Sequence, residues 1–248
     1  MNRERAGDPQ LPAQGARRCQ VLHLGLVPYG EALGRQESLV AARLAGSVPD
    51  TLILVEHPPV VTLGRAKAPR NLRLGPAELA ERGIAYFEIG RGGDATYHAP
   101  GQLVGYPIFD LRDHGKDVLG FCRGLERSLI LTLADFGVTG RSVPGKAGVW
   151  VGDKKIASLG ISLRRWVTAH GFALNVSTDL AGFRVIQPCG EDPDVMTSLV
   201  ERLGRSAAMD EVRGRLVGHV AKEFGFDEVV TLSPEEAVSP SRSAFRKD

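Results

Sequence analysis

The stretch VIQPCGEDPDVMTSL places Cys189 between Pro188 and Gly190, two residues that fix the backbone and bury little. A thiol held on such a turn can serve as a nucleophile or a metal ligand, or have no role. The chain has three cysteines, at positions 19, 122 and 189. They are few, odd in number and widely spaced, and no C-x-x-C pair occurs, so neither a disulfide framework nor structural zinc is expected. Cys122 recurs with Val118, Phe121, Leu125, Leu129 and Leu133 at helical spacing and reads as a core residue of an amphipathic helix. Cys19 precedes the first apolar stretch and has no further context. Only Cys189 lacks a packing explanation.

Three other stretches are rich in residue types that do chemistry. In RGGDATYHAPGQLVGYP, paired glycines expose backbone N–H groups, and Arg91, Tyr97 and His98 add polar side chains. Such a loop can approach a ligand closely, or it can be a turn-rich connection carrying a core histidine. In GDKKIASLGI, Lys154 and Lys155 begin an otherwise apolar strand, where a lysine is ordinarily just solvated. In HGFALNV, Gly171 lies in a small-residue strand that can admit a ligand. Two tempting motifs fail. GRGGDA at 90–95 fits a dinucleotide fingerprint, but Pro100 and Gly101 follow where a helix is required. GRSVPGKA at 140–147 resembles a phosphate loop, but Ala147 replaces the magnesium-binding hydroxyl and a strand follows. The six histidines show no metal-ligand spacing, and no catalytic metal is expected.

These residues must be held by ordinary elements. Hydrophobic content of 43% and charged content of 24% suit a globular protein with a core. A net charge of +2 argues against nucleic acid or an anionic membrane as partner. No apolar run reaches the ~18 residues of a membrane span, and the N-terminal stretch lacks a signal core, so a cytoplasmic protein is expected. CQVLHLG, DTLILVEH, VVTLG, IAYFEIG and QLVGYPIFDL read as strands, and PYGEALGRQESLVAARLAG, GPAELAERG and the Cys122 segment as helices. AGVWV and IASLGISL form a hairpin turning at Gly152 and Asp153. VTAHGFALNV adds a strand, and helices around 195–203 and 208–224 follow. Strands and helices mix without a βαβ rhythm, which predicts one α+β domain over 19–231 with a mixed, largely antiparallel sheet. Residues 1–18 and 232–248 read as flexible and disordered tails.

Taken in order, EHPPVVTLGR, RGGDATYHAPGQLVGYPI, GVWVGDKKIASLGI, HGFALNVSTDL and PCG followed by MTSL resemble the lipoyl(octanoyl) transferases of lipoate biosynthesis. The resemblance covers residues from about 50 to 200. It implies the fold of biotin and lipoate protein ligases, and transfer of an octanoyl or lipoyl group from acyl carrier protein to a lysine of lipoyl domains. The acceptors implied are the lipoyl domains of 2-oxoacid dehydrogenase acyltransferase subunits and the glycine cleavage H protein. By the same resemblance Cys189 is the acyl-bearing nucleophile and Lys155 lowers its pKa and shuttles protons. The acyl site would be lined by Arg91, Gly92, Gly93, Asp94, Ala95, Thr96, Tyr97 and His98, by Ser158, Leu159 and Gly160, and by Gly171, Phe172 and Ala173. No ATP and no metal are implied, the donor carrying its own phosphopantetheine, and the protein is expected to act as a monomer.

One departure stands out: the family's YHGPGQ reads YHAPGQ here, with Ala99 in place of the first glycine. The residue before a proline is biased to extended backbone, which alanine tolerates, so Ala99 is expected to trim the pocket and leave function intact. Two other activities fit the same residues. An ATP-dependent lipoate or biotin ligase would need no cysteine, and a silent carrier-binding module would keep the pocket without turnover. The joint presence of Cys189 and Lys155 favours the transferase.

Overall fold

The computed structural model describes residues 16–66, 71–190 and 192–233, with the Cys189 side chain outside that description. Most of the two expected tails also lies outside it. The run DTLILVE forms β2 (Asp50–Glu56), buried along almost its whole length, as suits a strand covered on both faces. β1 (Arg18–Leu26) and β11 (Glu228–Leu232) extend the sheet on one side of it, and both pairings, β1–β2 and β1–β11, are parallel. On the other side follow β6 (Gln102–Ile108), β10 (Val167–Asn175), β9 (Lys154–Arg164), β8 (Lys146–Val151) and β7 (Arg141–Val143), all antiparallel neighbours. A second sheet has the order β4 (Ala85–Glu88), β3 (Val60–Leu63), β5 (Ala95–His98).

The expected α+β class with a mixed, largely antiparallel sheet is what forms, but two details differ. Strand–helix–strand crossovers exist after all: α1 (Tyr29–Leu44) links the parallel pair β1 and β2, and α2 (Pro76–Glu81) links the parallel pair β3 and β4. The C-terminal edge strand β11, with four of its five residues exposed, carries too little apolar periodicity to be read as a strand. Its pairing with β1 brings Arg18 and Leu232, both assigned to tails, into the main sheet.

Alternation along the strands divides the interior. Leu52 and Leu54 face a core closed by α3 (Val118–Ala134), the short α4 (Leu199–Leu203) and α5 (Met209–Phe224), while Ile53 and Val55 face α1. Asp117 caps α3 by accepting from the Gly120 N–H at 2.9 Å. Cys19 is buried in the α3–α5 core, whereas Cys122 is only half-buried, on the rim of its helix. A third cluster lies under the second sheet and includes Ala99, Tyr97 and Phe183.

Candidate functional site

Between the main sheet and the second sheet lies a cleft whose empty space, counting its open mouth, is about 550 Å³. β9 supplies Lys155, Ser158, Leu159 and Gly160 to it, and β10 supplies His170, Gly171, Phe172 and Ala173. The opposite wall carries Arg91, Gly93 and Asp94 from the glycine-rich loop and Ala95, Thr96 and His98 from β5. Three separate segments of the chain, 91–98, 155–160 and 170–173, thus meet in one place. Gly92 stands just outside the lining, where its N–H donates to the Ile161 carbonyl at 2.8 Å and ties the loop to β9. Tyr97 points the other way and packs edge-on against Phe183.

The β8–β9 hairpin turns at Gly152 and Asp153 as expected, with Gly152 at φ +60°. Its register decides where the lysines go. Gly148 pairs with Ser158 and Val149 with Ala157, but Trp150 pairs with Lys155, so Ile156 is an extra residue in β9, a bulge. Strict alternation would put Lys155 and Ser158 on opposite faces. The bulge restores both to the cleft face, while Ile156 and Ala157 enter the α3 core together. Gly148 makes this possible: at φ +118° a Cβ there would sit 2.2 Å from the Ala157 carbonyl oxygen. Lys155 is 6% exposed, with Nζ 5.8 Å from the Trp150 ring centre. Lys154 points elsewhere and donates to the Asp194 carbonyl at 2.6 Å.

The PCG turn is one turn of 3-10 helix, Pro188–Gly190, and Pro188 lines the same cleft. The chain is pinned on both sides of it. Before the turn, the Gln187 N–H donates to the Asn71 carbonyl at 2.7 Å and Leu72 bridges Ile186. Asn71 in turn donates from its side chain to Asp94 in the cleft wall. After the turn, Met196 bridges Lys155 and the Thr197 N–H donates to the Lys155 carbonyl at 2.9 Å. The segment carrying Cys189 is therefore bonded directly to the residue that carries the cleft lysine.

The wall opposite β9 is held by polar side chains in fixed protonation states. Arg91 donates to the Thr62 carbonyl at 2.8 Å, to the Thr62 hydroxyl at 2.9 Å and to the Gly92 carbonyl at 3.0 Å. Gln102 donates to the Asn175 side-chain oxygen and the Tyr97 carbonyl, so its own oxygen accepts from His98 Nδ1 at 2.7 Å. Burial pushes His98 down to about 3, with nearby His57 adding to the effect, so it is a neutral imidazole at physiological pH. His57 donates from Nδ1 to the Val27 carbonyl at 2.7 Å, so its Nε2 accepts from the Tyr106 hydroxyl at 2.8 Å. Burial lowers the His57 pKa as well.

Tyr29, Tyr106, Val104 and His170 line the cleft without having been singled out in the sequence. Tyr29 and Tyr106 read there only as a helix start and a strand residue. His170 lies in the HGFALNV stretch, directly before Gly171. Ala99 lies outside the lining and has no positive φ. It packs in the third cluster, so it fills core and does not trim the pocket. The other two thiols are unsuited to nucleophilic work. Burial pushes Cys19 up to about 12 and Cys122 up to about 11, so both stay protonated at neutral pH.

A family model described as the lipoyl protein ligase A/B catalytic domain matches residues 28–221. Among curated proteins, an octanoyltransferase from Solibacter usitatus is 51% identical over 211 residues, covering 85% of this chain and 95% of that protein. An octanoyltransferase from Chloroflexus aggregans is 47% identical over 220 residues, covering 88% of this chain and all of that protein. Among solved structures, a lipoate-protein ligase A bound with ATP superposes with a TM-score of 0.72 at 18% identity, covering 88% of this chain and 91% of that one. That last likeness concerns the fold.

Proposed function

Starting from the fact that the chain belongs to the lipoyl protein ligase A/B catalytic-domain family, we propose that it moves an octanoyl group from acyl carrier protein to lipoyl-domain lysines through a thioester on Cys189. The chain is an acyltransferase, as its octanoyltransferase relatives indicate. The observation that carries the finer reading is the burial of Lys155 in the cleft to which Pro188 contributes, with backbone bonds joining the two segments.

In the first half-reaction the Cys189 thiolate attacks the thioester carbonyl of the phosphopantetheine-bound acyl chain. The carrier thiolate departs and takes a proton from the Lys155 ammonium. In the second, the acceptor lysine amine attacks the acyl-enzyme, the neutral Lys155 amine takes its proton, and the Cys189 thiolate leaves. Protons balance over the cycle. The first step exchanges one thioester for another and the second converts a thioester to a more stable amide, so neither needs a nucleotide. A cation beside the thiol favours the thiolate. Backbone N–H groups of the glycine-rich loop are natural donors to the developing oxyanion.

The test is intact-protein mass spectrometry after mixing the protein with octanoyl-acyl carrier protein and no ATP. A single octanoyl adduct that maps to Cys189 and is released by hydroxylamine is expected. Transfer that appears only with ATP and free octanoate, or an adduct on Cys19 or Cys122, overturns the reading.

A further inference from the structure

His170 carries two costs with no local compensation. It lies within β10, yet its φ is +57°, the left-handed region that non-glycine side chains avoid. Its imidazole is 7% exposed and lines the cleft, and Nδ1 is buried without a hydrogen-bond partner. The strained backbone is held by Gln36 of α1, whose side-chain oxygen accepts from the His170 N–H at 2.9 Å. Strain and an unsatisfied polar atom at one cleft residue point to a role toward what the cleft holds.

The strand register gives its place. His170 pairs with Ile161, whereas Lys155 lies six residues earlier on β9, one of the intervening residues being the bulge. At ~3.3 Å per residue the two ends of the lining are roughly 15–20 Å apart. An extended chain advances ~3.6 Å over three bonds, so eight carbons reach roughly 9 Å. An octanoyl chain attached at the Lys155 end therefore stops short of the imidazole, and each two-carbon extension brings the terminus ~2.5 Å closer.

We propose that His170 limits acyl-chain length, its unpartnered ring nitrogen disfavouring any chain long enough to cover it. The proposal rests on the octanoyl-transfer reading above. With a short chain, a water molecule beside the terminus can pair with Nδ1. An alkyl chain that displaces that water leaves a buried polar atom unsatisfied. The group cannot escape by becoming a hydrated cation, because burial, then Arg91 and Arg65, hold its pKa down to about 4.

The experiment compares kcat/KM for octanoyl-, decanoyl-, dodecanoyl- and tetradecanoyl-acyl carrier protein in wild type, His170→Leu, His170→Gly and His170→Asn. The ratio of long to short chain does not depend on how much of a variant is folded. Leu removes the nitrogen and keeps bulk, Gly removes both and relieves the positive φ, and Asn keeps a polar atom while tolerating that φ. Relative to wild type, the tetradecanoyl-to-octanoyl ratio is expected to rise about 10-fold in the Leu and Gly variants and to stay within about twofold in Asn. An unchanged ratio in the Leu and Gly variants overturns the inference while leaving octanoyl transfer intact. A rise in Asn equal to that in Gly means that bulk sets the limit, and also overturns it. Absence of transfer from every chain length overturns the functional reading and this inference together.

Discussion

Replacing Lys155 by alanine tests the proposed chemistry against the strand register. Lys155 lies in the cleft because the bulge at Ile156 shifts it onto the face of Ser158, while its neighbour Lys154 reaches out to the Asp194 carbonyl. A free thiol with a pKa of ~8.5 is only about 3% thiolate at pH 7, whereas thiols beside a cation reach ~7.5 or lower. Removing the Lys155 ammonium therefore costs the Cys189 thiolate about 8-fold or more in population at neutral pH. Loss of a positioned proton carrier adds ~10²–10⁴ in rate, so octanoyl transfer by Lys155→Ala is expected to fall by about 10³ or more. Lys154→Ala loses one hydrogen bond at a half-buried site, about 1 kcal/mol of stability, and is expected to keep its activity within about twofold. The assay is the rate of Cys189 alkylation by iodoacetamide against pH in wild type and both variants. The midpoint should move up toward ~8.5 in Lys155→Ala only. A shift in Lys154→Ala with none in Lys155→Ala means that the cation serving Cys189 is not the one facing the cleft, and refutes the reasoning.

Other expectations follow from the same contacts. Lys155→Arg keeps the charge but cannot give up its proton, so rapid mixing should reveal acyl-enzyme that accumulates and transfers slowly to the acceptor. Ala99→Gly restores the residue usual in the family at a buried position outside the cleft. Denaturant melts should show a loss of about 1–2 kcal/mol from the missing methyl and the freer unfolded chain, with kcat/KM within about twofold. Gly101 sits at φ +82°, and a Cβ there would lie 2.8 Å from the Ser177 backbone. Gly101→Ala should cost at least about 2 kcal/mol in the same melts. His98 and His170 are held neutral in the folded protein, with pKa values of about 3 and about 4, but take up protons near ~6.5 when unfolded. Unfolding then binds protons below that pH, so stability is full above it and is lost as pH falls from ~6.5 toward 4. Each group contributes up to ~1.4 kcal/mol per pH unit. A denaturation midpoint unchanged between pH 7 and pH 5 contradicts this.

The stretches that border the cleft are legible in the sequence because their residue types are out of place in ordinary elements. A cysteine between proline and glycine, paired glycines beside an arginine, and two lysines at the head of an apolar strand each lack a packing reason. Twelve of the fourteen residues expected to line the acyl site do line one cleft, and Gly92 and Tyr97 lie just off it. What the sequence withheld depends on neighbours remote in the chain. The bulge at Ile156 exists only as a mismatch between β8 and β9, and no alternation read along β9 alone contains it. The parallel pairing of β1 with both β2 and β11 is likewise a property of the assembled sheet. β11 is mostly exposed, so no apolar pattern records it.

His170 marks a different boundary. Its residue type was visible beside Gly171, but a histidine in a strand ordinarily reads as a satisfied core residue. Its significance comes from three facts that arise only on folding: a positive φ imposed within β10, a clamp from Gln36 134 positions earlier, and a ring nitrogen buried at the cleft wall with no partner in the protein. Local preference opposes each of them. A histidine kept there against that preference is held by the tertiary structure, and the strand register puts it at the end of the cleft remote from Lys155. Residues that a sequence pattern nominates lie where the chemistry must be common to a family. A residue that sets the limit of a particular cleft is recognised by the strain that the rest of the fold sustains to keep it in place.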